Sequence, residues 1–421
     1  MPVSLCAGLS AQGLRLMSRG LDGSVGNDES YSPALSADGR FLAFYSDASN
    51  LVPHDTNGTG DIFLFDRQNR TRFLVSVNAL GGPANGESNY PAISADGRFI
   101  VFESHASNLV PGDSNGASDV FLRDLVTGTT ERISVDSSGN QADGSSHNAD
   151  VSDDGRYVVF DSFATNLVAG DTNGRRDVFR RDRLTGLTER IDVGLGGAQA
   201  NRGAEFPYVS ADGNRVGFQS ASTNLVVGDT LGFTDMFVTD VAAGTTSCVS
   251  VDSSGNHGNF GSVYLTMSAD GRWFLFGSNA TNLAAGDTNP TTDLFLHDSL
   301  TGTTVLAGVN SSEEQANDYT SRGTLSANGR YVAFKSTATN LAPGATDGNM
   351  NVYVRDLWLG VTTRVSVGFD GSAPDGHSSQ PLISDDGRTM AFYSEATNLV
   401  SDDTNGVWDV FLRELRHVRA R

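Results

Sequence analysis

Read for its apolar positions alone, the chain is a succession of short runs separated by polar, glycine-rich punctuation. Residues 91–135 show one cycle. Pro91-Ala-Ile-Ser94 is a short apolar run, Ala95-Asp-Gly97 a tight turn, and Arg98 to Ser104 (RFIVFES) a β-rich run. After a long polar segment, Asp119 to Asp124 (DVFLRD) alternates apolar and polar residues. Thr127-Gly128 is a second tight turn, and Thr130 to Val135 (TERISV) a fourth run. Four short strands with no helical stretch predict one four-stranded antiparallel sheet.

The cycle repeats. Ser-x-Asp-Gly-Arg stands at Ser36, Ser94, Ser152, Ser210, Ser268, Ser326 and Ser384, each 58 residues after the last, with Asn214 replacing Arg and Asn328 replacing Asp. A sheet of this size cannot bury its apolar faces alone and must stack on its neighbours. Phenylalanine holds the centre of the second strand in every unit (Phe44, Phe102, Phe160, Phe218, Phe276, Phe334, Phe392), as packing between adjacent sheets requires. Seven sheets around an axis make an all-β, seven-bladed β-propeller. The seventh unit ends after its third strand, Asp409 to Glu414. Leu14 to Gly20 (LRLMSRG) lies one period before the fourth strand Phe73-Leu-Val-Ser76. The N-terminal segment is therefore expected to pair in the last blade, closing the ring and removing an open edge. Residues 14–421 form the propeller in this reading. Met1 to Gly13, small and apolar, reads either as the tail of a secretion signal or as a disordered leader.

The formal net charge of −21, with Lys335 the only lysine, argues against nucleic acid and anionic membranes as partners. No apolar stretch is long enough to span a bilayer. Cys6 and Cys248 fall at unrelated phases of the repeat, which disfavours a disulfide between them.

The repeat resembles the WD40-like units of TolB-type propellers, which read Pro-x-x-Ser-x-Asp-Gly-x, a hydrophobic strand, then Asp-Ile/Val-Tyr/Phe. Here Pro91-Ala-Ile-Ser-Ala-Asp-Gly97 is followed by Asp119-Val-Phe121, with equivalents in every unit. The resemblance implies the fold; such propellers serve as binding scaffolds, peptidase accessory domains and occasionally enzymes. One departure is the much longer loop between the second and third strands. This loop and the blade connector share one end, the top, where long loops on a rigid scaffold place binding.

The long loop carries Asn-Leu-x-x-x-Asp-Thr-Asn-Gly-x-x-Asp. Its polar trio is Asp55, Asn57 and Asp61 in the first unit, Asp113, Asn115 and Asp119 in the second, and Asp171, Asn173 and Asp177 in the third. The fifth has Asp287, Asn289 and Asp293 (Pro290 in the glycine position), and the seventh Asp403, Asn405 and Asp409. Oxygens at i, i+2 and i+6 around a glycine match the later part of a Ca²⁺ loop, since Ca²⁺ takes six to eight oxygen ligands. The pattern resembles calcium-binding loops, including those of integrin-type propellers, without their first acidic position. Asn27, Asn85, Asp143, Asn201, Asn259, Asn317 and Asp375, at one phase of the connector, are candidate additional ligands. The competing reading is turn chemistry alone, which accounts for Asn57-Gly58 but not for an acid at both Asp55 and Asp61. The fourth loop (Asp229, Leu231, Asp235) loses the amide; the sixth (Ala345, Asp347, Asn351) loses both outer carboxylates. Five competent sites and an empty sixth follow.

Ser46 and Asn50 and their counterparts are expected to hold the loop base, and Arg40 with Asp66 to form a cross-strand ion pair. Catalytic signals are sparse. The histidines share no phase, although His147, His257 and His377 lie in top loops, and there is no Gly-x-Ser-x-Gly elbow. Top-loop aromatics Phe206, Phe233, Phe260, Tyr319, Phe369 and Trp408 suit either sugar or protein contact, or local loop packing. The sequence therefore predicts a calcium-stabilised propeller, secreted or periplasmic and monomeric, binding a protein or carbohydrate on its top face. A metal-dependent lyase or hydrolase with a site near the axis is the alternative.

Overall fold

A computed structural model describes residues 13–345 and 348–415. It contains seven four-stranded antiparallel sheets, each in chain order except the last. In the second blade the strands are Ser88–Ile93, Phe99–Ser104, Asp119–Asp124 and Thr129–Arg132. First strands of successive blades lie against one another, so they surround the axis. The expected first strand, Pro91 to Ser94, extends further toward its start. A bulge between Asn89 and Ala92 carries the pairing past Pro91, which has no N–H to contribute. The fourth strand, expected to reach Val135, ends at Arg132 because the chain there bends into the connector.

The ring closes as the repeat phase required. Leu14–Leu16 pairs with Asp409–Glu414, aligning Leu14 with Arg413 and Leu16 with Phe411. Met17 N–H adds a hydrogen bond to the Val410 carbonyl at 2.7 Å. The leader Met1–Gly13, apart from Gly13, lies outside the described residues, as do Cys6, Asp347 and His417.

The core is divided among the seven blade interfaces. Ala43, Ile62 and Leu64 of blade 1 pack with Ile100, Phe102 and Phe121 of blade 2. On the opposite face of the same sheet, Leu42, Phe44 and Phe63 pack with Ala391, Val410 and Leu412 of blade 7. Sheets buried on both faces explain the near-continuous apolar runs of the two middle strands. Each second-strand phenylalanine is fully buried and sits opposite a third-strand aromatic, as with Phe44 and Phe63, whose ring centroids lie 6.0 Å apart. Truncating one to alanine costs about 3–5 kcal/mol.

At the lower end, the expected Arg–Asp pairs form as two-pronged contacts in blades 1, 2, 3, 5 and 6; Arg40 reaches Asp66 at 3.0 and 2.7 Å. The Arg40 guanidinium holds Asp66 down at about 2. Asn214 takes the arginine's place beside Asp240, and in blade 7 Glu414 pairs with Arg67 of blade 1 instead. The first turns are also tied to one another around the axis. Ala37 N–H donates to the Ala95 carbonyl, Ala95 to Asp153, Asp153 to Ala211 and Ala211 to Ala269; Ala327 donates to Asp385, and Asp385 back to Ala37, at 2.9–3.2 Å. These six backbone bonds link the first turns of neighbouring blades at their lower ends.

Candidate metal centres and the axial mouth

The top loops are held by a latch repeated in every blade. Asn50 Oδ1 accepts the Asn27 N–H at 3.1 Å, and Asn27 Oδ1 accepts the Ser49 N–H at 2.9 Å. Asn85, Asp143, Asn201, Asn259 and Asn317 use the same contacts in their blades, and Asp375 donates its N–H to Asn398 Oδ1 while accepting from the Thr397 hydroxyl and Asn398 N–H. The connector residues offered as extra ligands thus have a latching role that sequence spacing could not distinguish from ligation. Ser46 behaves as expected, with its Oγ donating to the Glu29 carbonyl and accepting from Ala48 N–H.

The two aspartates of each long loop converge. In blade 2 the Gln141 amide donates to both Asp113 and Asp119, at 2.9 and 2.8 Å, and Gln315 does the same for Asp287 and Asp293 at 2.8 Å each. The later aspartate of the pair is fully buried in blades 1, 2, 3, 5 and 7. A serine from the start of the connector holds one of its oxygens: Ser76 donates to Asp61, Ser134 to Asp119 and Ser18 to Asp409.

The asparagines of the trio hydrogen-bond through their side-chain amides. Asn57 Nδ2 donates to Asp61 at 2.6 Å and to the Ala84 carbonyl, while its Oδ1 faces the Thr59 N–H. Asn115, Asn173 and Asn405 likewise turn their amide nitrogens to the later aspartate, and Asn289 turns its own to the Ala316 carbonyl. They brace the loop against the connector through turn chemistry. The carboxylate pairs remain as the cation-attracting groups.

What faces each pair differs between blades. In blade 2, Arg132 approaches Asp113 and Asp119 at 3.4 and 3.5 Å; in blade 3, Arg190 approaches Asp171 and Asp177 at 3.6 and 3.5 Å. These guanidinium groups occupy the position where a cation would compensate the acids. The equivalent positions in blades 1 and 7 hold Leu74 and Leu16, and the glutamine phase holds Pro83 and Val25. Burial pushes Asp61 up to about 6, Asp403 to about 7 and Asp409 to about 6. Asp403 Oδ1 is buried with no hydrogen-bond partner. Blades 1 and 7 thus lack the guanidinium of that phase, and Asp55, Asp61, Asp403 and Asp409 are the carboxylates there that could hold a cation. Blade 5 keeps Gln315 between its acids, and burial pushes Asp293 up to about 7.

Blade 4 departs from all of these. Cys248 stands in the phase of Arg190 and His257 in that of Gln199, beside Asp229 and Asp235. A cysteine sulfur, a histidine ring nitrogen and an Asp235 oxygen lie within 4.8 Å of one another, the only such group of three found among the described residues. Burial pushes the Cys248 thiol up to about 12 and Asp235 to about 6. Comparing phases across the repeat would have found this group; reading the long loop alone did not. His147 and His377 lie elsewhere, the former beside Glu103 at 3.3 Å and the latter accepting the Met350 N–H. The three top-loop histidines therefore do not meet.

Around the axis, every first strand carries its bulge at the same place, with a non-glycine residue in left-handed conformation: Ser32, Tyr90, Asn148, Phe206, Tyr264, Arg322 and Gln380, φ 47–59°. Carboxylates of neighbouring blades secure two of these bends, Glu103 accepting from Asn148 N–H and Asp161 from Phe206 N–H. The polar chain continues through Arg176 to Glu205, at 2.8 Å, and on to Gln219. Tyr90 and Tyr264 are half exposed and partly exposed, and the Arg322 guanidinium lies 4.7 Å from the Tyr264 ring centroid. Burial and the neighbouring Arg322 charge push Lys335 down to about 8. On the other side Tyr31, Tyr45, Tyr393 and Trp408 form a contiguous aromatic group. Of the expected loop aromatics, Phe233 and Phe260 stack on one another at 5.3 Å, and Phe260 and Phe369 remain about half exposed.

Fold and top-face geometry together define a closed seven-bladed β-propeller of four antiparallel strands per blade. Among solved structures, the chain is similar to an oligogalacturonate lyase in complex with manganese, at TM-score 0.59 and 13% identity over 96% of this chain and 97% of that one. It is similar to the β-propeller domain of the Trilobed protease from Pyrococcus furiosus, at TM-score 0.54 and 12% identity over 92% and 95%. That domain is described as having an open velcro topology, whereas here the terminal strands pair. TolB from Acinetobacter baumannii is also similar, at TM-score 0.42 and 15% identity over 84% and 76%. No protein-family model and no curated protein matches the chain.

Proposed function

We propose that this propeller is an exported, non-catalytic binding module that takes a carbohydrate at the top end of its axial channel. The observation that carries the reading is the seven-fold bulge. A non-glycine residue in left-handed conformation is costly, of order 1 kcal/mol or more, and such strain concentrates where a side chain must be aimed at a ligand. Here the strained backbone is the same in all blades while the side chains all but once differ. Uniform packing would favour uniform residues; one ligand touching seven walls would not. Aromatic faces at Tyr90 and Tyr264, interspersed with carboxylates, amides and Arg322, supply the stacking and hydrogen bonding that sugar rings need.

Ca²⁺ at Asp55/Asp61 and Asp403/Asp409 would stiffen the loops flanking the seam where the chain ends meet. The calcium available outside the cell makes export the matching setting, since weak extracellular sites bind at about 10⁻⁴–10⁻³ M. The lyase alternative needs a group of metal-ligating side chains near the axis. The histidines that would have favoured it are spread over three separate places, so binding is preferred.

Calorimetric titration with neutral gluco-, manno-, xylo- and galacto-oligosaccharides tests the proposal. One series is expected to bind, with Tyr90→Ala and Arg322→Ala each weakening it about tenfold or more at unchanged melting temperature. Failure of every series, or equal binding by both variants, overturns it.

A further inference from the structure

We propose that blade 4 holds a Zn²⁺ ion through Asp229, Asp235, Cys248 and His257. The argument begins from the repeat itself. Blades 2 and 3 present the same two carboxylates and neutralise them with Arg132 and Arg190. Blade 4 keeps the acids but replaces the guanidinium with a thiol and the adjoining glutamine with an imidazole. Neither replacement supplies a fixed positive charge. Both are ligands for a borderline-soft divalent metal, which a hard oxygen-only ion such as Ca²⁺ would not use.

The atoms are already gathered. Sulfur, imidazole nitrogen and carboxylate oxygen lie within 4.8 Å of one another, and His257 Nδ1 is 3.9 Å from Asp235 Oδ2. Tetrahedral zinc with bonds near 2.0–2.3 Å needs ligand atoms about 3.3–3.8 Å apart, a contraction that side-chain rotation accommodates. Two groups are waiting for a partner. Asp229 is only 4% exposed, yet its Oδ2 has no hydrogen bond, and neither does buried His257 Nδ1. Unsatisfied buried polar atoms are costly and call for an explanation. A supporting contact is in place as well: Ser250 donates to Asp235 Oδ1 at 2.6 Å. Such contacts orient the ligands of a metal site.

Four protein ligands leave no open position, so the site is structural. It ties the long loop (Asp229, Asp235), the fourth strand (Cys248) and the connector to blade 5 (His257) at one point. Binding displaces the Cys248 thiol proton to solvent as the thiolate–metal bond forms, so uptake releases protons. The proposal stands independently of the calcium and carbohydrate readings, because none of its ligands belongs to those sites.

Metal-stripped protein without a histidine tag is titrated with Co²⁺ as the spectroscopic probe for zinc. One equivalent is expected to give intense tetrahedral visible bands and a near-ultraviolet thiolate charge-transfer band, both abolished by one equivalent of Zn²⁺. Cys248→Ser should remove the charge-transfer band, and Cys248→Ser and His257→Gln should each weaken binding about 100-fold or more. Cys248→Arg, copying blade 3, should fold without metal and bind none. Wild-type protein that takes up no more Co²⁺ than Cys248→Arg, or a complex lacking the thiolate band, overturns the proposal.

Discussion

A Cβ atom on Gly308 would lie 2.8 Å from Cγ2 of Thr320, closer than real side chains approach. These two positions are 12 residues apart, and in blades 1, 2, 4, 6 and 7 both are serine, as in Ser76 and Ser88. Blade 5 has exchanged the pair for glycine and threonine, and blade 3 for Asp192 and Ala204. In each exchange one residue grows as the other shrinks. The exchange in blade 5 leaves a visible deficit: Asp293 Oδ1, which a serine at 308 would satisfy, is buried without a hydrogen bond.

Gly308→Ser alone should therefore gain little or destabilise, because the new Cβ meets Thr320. Gly308→Ser with Thr320→Ser should stabilise by about 1 kcal/mol, since the restored hydroxyl reaches Asp293. Denaturant melts of the two single variants and the double variant measure the coupling; simple additivity would show that the pair is not linked.

Metal-free protein should become less stable as the pH rises from about 5 to about 7. Asp61, Asp235, Asp293, Asp403 and Asp409 have folded values of about 6–7, raised by burial above the unfolded carboxylate. The native state then holds more protons than the unfolded one, so the stability these groups contribute is present at acid pH and lost as they ionise. Below about pH 4, protonation of low-value partners such as Asp66 reverses the slope. Thermal melts in chelator across this range should show a maximum near pH 4.5–5; a curve rising steadily to neutrality would contradict the burial assigned to these acids.

Millimolar Ca²⁺ at neutral pH should add about 0.5–1.5 kcal/mol per occupied site. Asp55→Asn with Asp403→Asn should abolish that gain, whereas Asp113→Asn should not, because Arg132 already faces that pair. Equal calcium shifts in wild type and the double variant would remove the cation reading from blades 1 and 7.

Ser18→Ala should cost about 1–3 kcal/mol. Ser18 Oγ donates to Asp409 at 2.5 Å and accepts the Val410 N–H, so its loss leaves two buried groups unsatisfied across the closing seam. Removing residues through 19 should go further and expose the edge of Asp409–Glu414, giving concentration-dependent association in light scattering. Monomeric behaviour of the truncated chain would show that the seam is not what protects that edge.

The ring, its blade count and its closure by Leu14–Leu16 were all legible in the sequence, because a 58-residue period converts local strand patterns into global geometry. The convergence of Asp113 with Asp119 also followed from loop spacing. The task of Asn57 did not. An amide offers an oxygen and a nitrogen at the same sequence position, and only the Ala84 carbonyl from a distant connector decides which end turns inward. Arg132, Gln141 and Cys248 were overlooked for a related reason: they reach the carboxylates from other strands, and only alignment of phases relates them. The bulge at Tyr90 has no sequence signature beyond Pro91, and four of the seven blades share that proline.

The hydrogen bonds running from Ala37 through Ala95 and Asp153 join turns of different blades, so parting two neighbouring blades breaks backbone pairing as well as apolar contact. The side chains at these turn positions are alanine or aspartate. Loosening one such turn removes a backbone bond from its neighbour, so the blades are coupled through these turns as well as through their cores.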